Sequence, residues 1–216
     1  MMVSADNDPR RAGTIWALDL DKPVLPLAAR VAPVFHRLDS SGLPTLSAQL
    51  DGKAAQEFGR RLAAGKRAYI ARVAGELAAY GWVSFNEEFV GELNLRLHLL
   101  PGEAYIWDCV TMPAYRRNGL YSALLRFIAV QLHQEGLRRV WIGANLDNQP
   151  SQRGIAHAGF HHVADLLIER VRTMRLAWVQ GRPGIPERLV NEARRVFLDN
   201  RDRVWLDALS SSLPDQ

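Results

Sequence analysis

Residues 105–132 read YIWDCVTMP, then AYRRNG, then LYSALLRFIAVQL, and the order of these three pieces decides the fold. The first is short, apolar and rich in aromatic and β-branched side chains, as in a strand buried on both faces, and Pro113 ends it. From Leu120 the apolar residues recur at Ala123, Leu124, Phe127, Ile128 and Leu132, a spacing that turns one helical face toward a sheet. Between strand and helix lies Tyr115-Arg116-Arg117-Asn118-Gly119, a glycine-containing turn with two guanidinium groups. A helix N-terminus offers unpaired N–H groups and about half a positive charge. Glycine lets a ligand oxygen approach the main chain, so the turn suits an anion, phosphate first. Taken alone, the pattern fits two solvated arginines as well.

Further along come Val140-Trp141-Ile142-Gly143-Ala144, a second short buried strand, then Asn148-Gln149-Pro150-Ser151 and Gly159-Phe160. RRNGLY resembles the R/Q-x-x-G-x-G/A acyl-CoA loop of the GNAT superfamily of acyl-CoA-dependent N-acyltransferases. The run from Asn148 to Phe160 resembles that family's second signature: an asparagine, a small residue three positions later, and a closing Gly-Phe. The resemblance implies an α/β fold with a mixed, mostly antiparallel central sheet flanked by helices, and one parallel β–α–β unit that binds the cofactor. It also implies transfer of an acyl group, acetyl first, from acyl-CoA to an amine by direct attack in a ternary complex, with no metal.

Length and composition agree with a globular protein. The 216 residues make one domain with room for a core, 48% of them hydrophobic and 23% charged. Cys109 is the single cysteine, so no intrachain disulfide forms, which fits a reducing, cytoplasmic setting. MMVSADNDPRR carries no apolar leader core, and no run approaches membrane-spanning length, so no membrane is expected. The net charge of +4 raises nucleic acid as a partner. No nucleic-acid motif accompanies it, so the expected partners are acyl-CoA and an amine acceptor of unknown identity, with a homodimer left open.

The expected organisation is an extension over residues 1–28, an acyltransferase domain over 29–180 and an amphipathic helical extension over 181–216. Residues 1–28 read as loose, with Trp16 and Leu18 the anchors. A first strand is expected at Val31 to Leu38, a short helix to Leu50, a second from Lys53 to Ala64, and a hairpin turning at Ala74-Gly75. Residues 90–99 alternate Glu92, Asn94, Arg96 and His98 with Leu93, Leu95, Leu97 and Leu99. That is a strand with one wet face, either at the sheet edge or continuing after a bulge. A helix follows at 150–158, then two last strands, then an Arg-rich helix from Glu187 to about Leu209.

Acyl transfer needs a held thioester, a polarised carbonyl and a deprotonated amine. The resemblance assigns the first to Arg116, Arg117, Asn118, Gly119, Leu120, Tyr121 and Ser122. Tyr121 stands where the family motif has glycine or alanine, so its side chain points away from the cofactor or narrows its channel. Main-chain N–H groups of Val110, Thr111 and Met112 are the implied carbonyl donors. For the base, Glu103 stands where some relatives carry a glutamate, and Asp108 is the one carboxylate inside the apolar strand. Each is also read as structural. The tyrosine that relatives place seven residues after the asparagine is here Ile155, which has no proton to donate, so either another hydroxyl, Tyr121, Ser151 or Tyr105, replaces it or the thiolate leaves unassisted. Asn148 and Ser151 are expected beside the pantetheine arm, with Asn148 equally a helix cap. Cys109 lacks an activating partner, and His161-His162 is too short a cluster for a metal. Two other functions stay open: a CoA-binding regulatory protein without turnover, suggested by Ile155, and a tRNA-dependent aminoacyl transferase, suggested by the basic pI.

Overall fold

The structure, a computed structural model, describes residues 11–93, 95–171 and 174–198. Its elements in order are β1 (Arg11–Asp19), β2 (Val34–Leu38), α1 (Leu43–Ser47), α2 (Gly52–Ala63), β3 (Arg67–Val73), β4 (Glu76–Ser84), β5 (Glu87–Val90), β6 (Leu95–His98), β7 (Glu103–Thr111), α3 (Leu120–Gln134), β8 (Arg139–Asn145), α4 (Gln149–His157), β9 (His161–Val171), β10 (Met174–Gly181) and α5 (Glu187–Phe197). Eight strands form one sheet in the order β10-β9-β1-β8-β7-β4-β3-β2. Its neighbours are antiparallel except β7 and β8, the parallel pair joined through α3. The mixed sheet and its single β–α–β unit are as the resemblance implied.

Strand alternation sorts the core into two faces. Trp16, Leu18, Tyr69 and Ile106 pack with Leu124 and Ile128 of α3 and Ile155 of α4 on the first face. Their neighbours Ile15 and Ala17 pack with β6 and α5 on the second face, and Ala68 and Ile70 pack with α1 and α2 there. The helical stripe read from residues 120–132 is the buried one: Leu120, Ala123, Leu124, Ile128 and Leu132 are each 1% exposed or less.

Four expectations are corrected. The loose extension is not loose over its second half: residues 11–19 are β1, set inside the sheet between β8 and β9 and antiparallel to both. Burying Ile15, Trp16 and Leu18 stabilises by roughly 1.5–3 kcal/mol for each large apolar side chain, which a tail would forfeit. The chain then crosses from mid-sheet to the far edge, running along α3: Leu20 accepts from His133 Nδ1 at 2.8 Å, Leu25 from Arg126 Nε at 3.0 Å, and Arg30 N–H donates to Asn118 at 2.8 Å. The first strand of the far edge begins at Val34, not Val31.

The strand expected at 90–99 is neither an edge addition nor a continuation. β5 and β6 make a separate two-stranded hairpin with a 3₁₀ turn at Gly91–Leu93. Leu95 and Leu97 face the core beside α5 while Arg96 and His98 face out. The side chain of Glu92 and all of Asn94 lie outside the described residues. Finally, the C-terminal helix is core rather than appendage: Val190, Ala193, Val196 and Phe197 of α5 are buried against the sheet. The expected stretch from residue 199 to Leu209 lies outside the described residues.

Candidate active site

The parallel pair parts early. β7 and β8 are bonded only from Glu103 opposite Arg139 to Ile106 opposite Ile142. Beyond that β7 continues to Thr111 on β4, and β8 continues to Asn145 on β1. A bulge lies where they separate: in the ladder with β4, Gly81 alone stands between Tyr80 opposite Val110 and Trp82 opposite Trp107, so Asp108 and Cys109 share its place. Asp108 has φ 42 and bends the strand there. Gly81 is needed because any Cβ would lie 2.8 Å from Cys109 Sγ.

The bulge fixes which amides face the gap. Met112 N–H donates to Ala78 at 2.9 Å, so antiparallel alternation directs Val110 back to β4 and Thr111 toward the gap. Arg116 Nε meets the Thr111 carbonyl there at 3.3 Å. Of the three expected main-chain donors, Thr111 has the required direction, and the Met112 N–H is committed elsewhere.

The basic turn is open. Arg116, Arg117 and Gly119 are exposed, and Arg117 and Gly119 adopt φ 63 and 74. Such values suit glycine, and a β-branched residue at 119 would be strained. Gly119 caps α3 without a side-chain bond, leaving the first-turn N–H groups of Leu120, Tyr121 and Ser122 without intrahelical acceptors. Asn118 Nδ2 ties the loop by donating to Tyr115 and Arg116 carbonyls at 3.2 and 3.3 Å. Exposed amides, a left-handed glycine and guanidinium groups together fit a phosphate.

Tyr121 turns from this loop onto α4. Its ring covers Gly154, where a Cβ would sit 2.4 Å from the ring, and its hydroxyl is 2.9 Å from Ser151 Oγ. Ser122 Oγ bonds the Gly154 carbonyl at 2.9 Å, and Ile155 beside it is fully buried. Asn148 Oδ1 accepts from Ser151 N–H at 3.1 Å, so it does cap α4. Burial, with Cys109 and Tyr105 close by, pushes the Tyr121 phenol up and keeps it protonated. Burial likewise pushes the Cys109 thiol up, which disarms it as a nucleophile.

A cavity of about 590 Å³ runs through the gap. At the first face it is lined by Asn148, Ser151 and Cys109, along the gap by Gly143 and Ala144, and on the second face by Tyr105 and Trp107. Arg61 of α2 closes one side. It pairs with Asp108 Oδ2, bonds Glu57 at 2.7 Å, and lies 4.5 Å over the ring of Trp107. No partner of Asp108 Oδ1 occurs among the described residues. Glu88 is a second, buried carboxylate in the lining, held by Ser84 Oγ, by Lys66 Nζ at 2.8 Å and by Phe89 N–H at 3.0 Å. Burial and the Asp108 charge push the Tyr80 phenol up to about 12.

The site candidates therefore divide. Asp108, Tyr105, Asn148 and Ser151 line one cavity, and Tyr121 reaches it through Ser151. Glu103 does not. Its side chain is buried at the closed end of the parallel pair, bonded to Arg138 Nη2 at 2.6 Å and to Trp141 Nε1 at 2.9 Å. Arg61, Glu88 and Phe89 line the cavity without having been singled out from sequence. Arg61 and Glu88 sit on a helix and a hairpin whose charge patterns look like solvated faces. His162 lies stacked on Trp16 and bonded to Asp165 at 3.0 Å, and no cluster of three or more metal-ligating side chains occurs among the described residues. No helix among them is long and apolar enough to cross a membrane.

Comparison with known proteins gives a family. The model of the acetyltransferase (GNAT) family matches residues 36–160, more than half of the chain. No curated protein matches. Among solved structures, one titled a putative acetyltransferase from the GNAT family, from Novosphingobium aromaticivorans, is 19% identical with a TM-score of 0.45, over 74% of this chain and 66% of that one. A tandem GNAT protein from the clavulanic acid biosynthesis pathway is 22% identical with a TM-score of 0.46, over 80% of this chain and 53% of that one. AAC(6')-Iy, in complex with the bisubstrate analog CoA-S-monomethyl-acetylneamine, is 17% identical with a TM-score of 0.47, over 67% of this chain and 97% of that one. The chain thus spans under two thirds of the first of these and about half of the second.

Proposed function

The chain belongs to the acetyltransferase (GNAT) family, and from that premise we propose that it transfers an acyl group, acetyl first, from acyl-CoA to an amine by direct attack in a ternary complex. One observation carries the reading: a continuous cavity crosses the sheet where β7 and β8 part, joining the Ser151 side to an open cleft on the second face. When bound, acyl-CoA supplies a carbonyl activated as a thioester. Arg116, Arg117 and the first-turn amides of α3 hold phosphate, and Thr111 N–H donates to the carbonyl oxygen. Asp108 Oδ1 takes one proton from the ammonium and so frees the lone pair that attacks; as the C–N bond forms and the C–S bond breaks, the nitrogen gives up its second proton and the sulfur, leaving with the C–S electrons, gains one through Ser151 and Tyr121. The working unit runs from β1 to α5, because both belong to the core around the cavity. A cytoplasmic protein with one free thiol fits the same reading.

Calorimetry with acetyl-CoA tests the holding step. Micromolar binding is expected for the native chain and its loss for Gly119→Val, which the left-handed backbone at 119 disfavours. Absence of heat from folded native protein would sink the proposal.

Tyr121→Phe tests the leaving step. The ring stays on Gly154, so stability and acetyl-CoA affinity are expected to hold while kcat falls about 100-fold, the lower end of the range for a lost acid catalyst. An unchanged kcat would remove Tyr121 from the chemistry. A second reading, a CoA binder without turnover, is favoured by Ile155 in place of a hydroxyl; it predicts no thiol release with any amine.

A further inference from the structure

Resting on the acyltransferase reading, we infer that the acceptor is a primary amine with a single cationic nitrogen carried on an apolar, ring-containing body, and not a polyamine, an aminoglycoside or a lysine side chain of a protein. Three observations point this way. The cleft on the second face offers one uncommitted carboxylate oxygen: Asp108 Oδ2 is held by Arg61, while no partner of Oδ1 occurs among the described residues. The other carboxylate on the wall, Glu88, is already neutralised by Lys66 and bonded by Ser84 and Phe89, so it has little to offer a second ammonium. A multiply charged acceptor would bring cations beside Arg61 and Lys66 with nothing left to pair them, which is unfavourable in a partly buried site.

The rest of the wall is apolar. Tyr105 and Trp107 make the floor, and Leu95 and Leu97 of the hairpin are buried behind it. Phe89 stands on the hairpin rim with 51% of its surface exposed, one of few large apolar side chains left in water among the described residues. A flat ring entering the cleft would cover Phe89 and lie against Trp107, which also packs on the Arg61 guanidinium and on Trp82. Aromatic pairs of this kind gain more than their area alone. An extended peptide is disfavoured because α2, the β5–β6 hairpin and α5 bound the cleft on the second face.

Initial rates of thiol release with acetyl-CoA separate the possibilities. The amines compared are 2-phenylethylamine, propylamine, spermidine, neamine and a lysine-containing peptide. Phenylethylamine is expected to exceed propylamine in kcat/KM by at least about tenfold, the effect of burying one phenyl ring. Phe89→Ser, at an exposed position that leaves the fold intact, is expected to raise KM for phenylethylamine about tenfold and to narrow its advantage over propylamine by a similar factor. Higher kcat/KM for spermidine, neamine or peptide, no turnover of phenylethylamine, or no effect of Phe89→Ser on its KM would each overturn the inference. Calorimetry with acetyl-CoA, run beside these assays, distinguishes the two failures: heat with turnover of another amine overturns the acceptor class alone, and no heat, or heat with no thiol release from any amine, overturns the acyltransferase reading beneath it.

Discussion

Asp108→Asn is expected to lower kcat by about 10²–10³-fold, within the span for loss of a general base. Asparagine is the informative replacement because Asp108 sits at φ 42, a left-handed conformation that asparagine tolerates and alanine does not. The substitution keeps the shape of the bulge and leaves Arg61 paired with Glu57, so the fold and the stacking of Arg61 on Trp107 survive. Acetyl-CoA affinity should be unchanged, because the loop proposed to hold phosphate, residues 116–119, lies before α3 on the first face. The pH profile adds a readout that a structural role would not move. Without Asp108 the amine must arrive deprotonated from solution, so the residual rate should climb about tenfold per pH unit below the amine's pKa, whereas the native rate should climb less. Native activity in the variant, or parallel pH profiles, would transfer the base to another group.

The strand, turn and helix proposed to hold the cofactor were legible in sequence because they are local. Strand, turn and helix N-terminus follow one another within residues 105–132, and Gly119 and the helical stripe declare themselves by residue type and spacing. The acceptor half is assembled from afar: Arg61 on α2, Glu88 on a hairpin and Asp108 on β7 meet only through the sheet, and no spacing in one chain encodes that meeting. β1 was missed for a related reason. A strand with Ile15 and Ala17 on one face and Trp16 and Leu18 on the other shows no alternation, and polar residues on both sides make it look like a tail with anchors. Residues 90–99 misled in the opposite way: their alternation is real over β6, but alternation reports a wet face and not which sheet the strand joins.

Glu103 is where position in a motif and physical environment disagree, and Glu103→Ala decides between them. The carboxylate is 2% exposed and fully bonded: Arg138 on one oxygen, Trp141 Nε1 and Leu100 N–H on the other, with Arg139 at 3.7 Å. Arg139 in turn joins Glu192 of α5 and Asp19 of β1, so the carboxylate anchors a network tying β7, β8, β1 and α5 together at the closed end of the parallel pair. Removing it leaves the buried Trp141 N–H without an acceptor and Arg139 with one counter-charge fewer. Because Arg138 is 39% exposed and Arg139 keeps two other partners, the cost is expected at the lower end of the range for a broken buried pair, about 3 kcal/mol. For a domain of this size that corresponds to a fall in Tm of roughly 10 °C, read by calorimetry. Glu103→Gln, which keeps the acceptor for Trp141 and loses the charge, should fall between the two. Both variants should keep a near-native kcat at temperatures where they remain folded, since nothing in the network reaches the cavity. A large loss of kcat with Tm unchanged would reverse the assignment and return Glu103 to the chemistry, whereas the expected pattern, stability lost and turnover kept, leaves Asp108 as the carboxylate of β7 that faces the reacting groups.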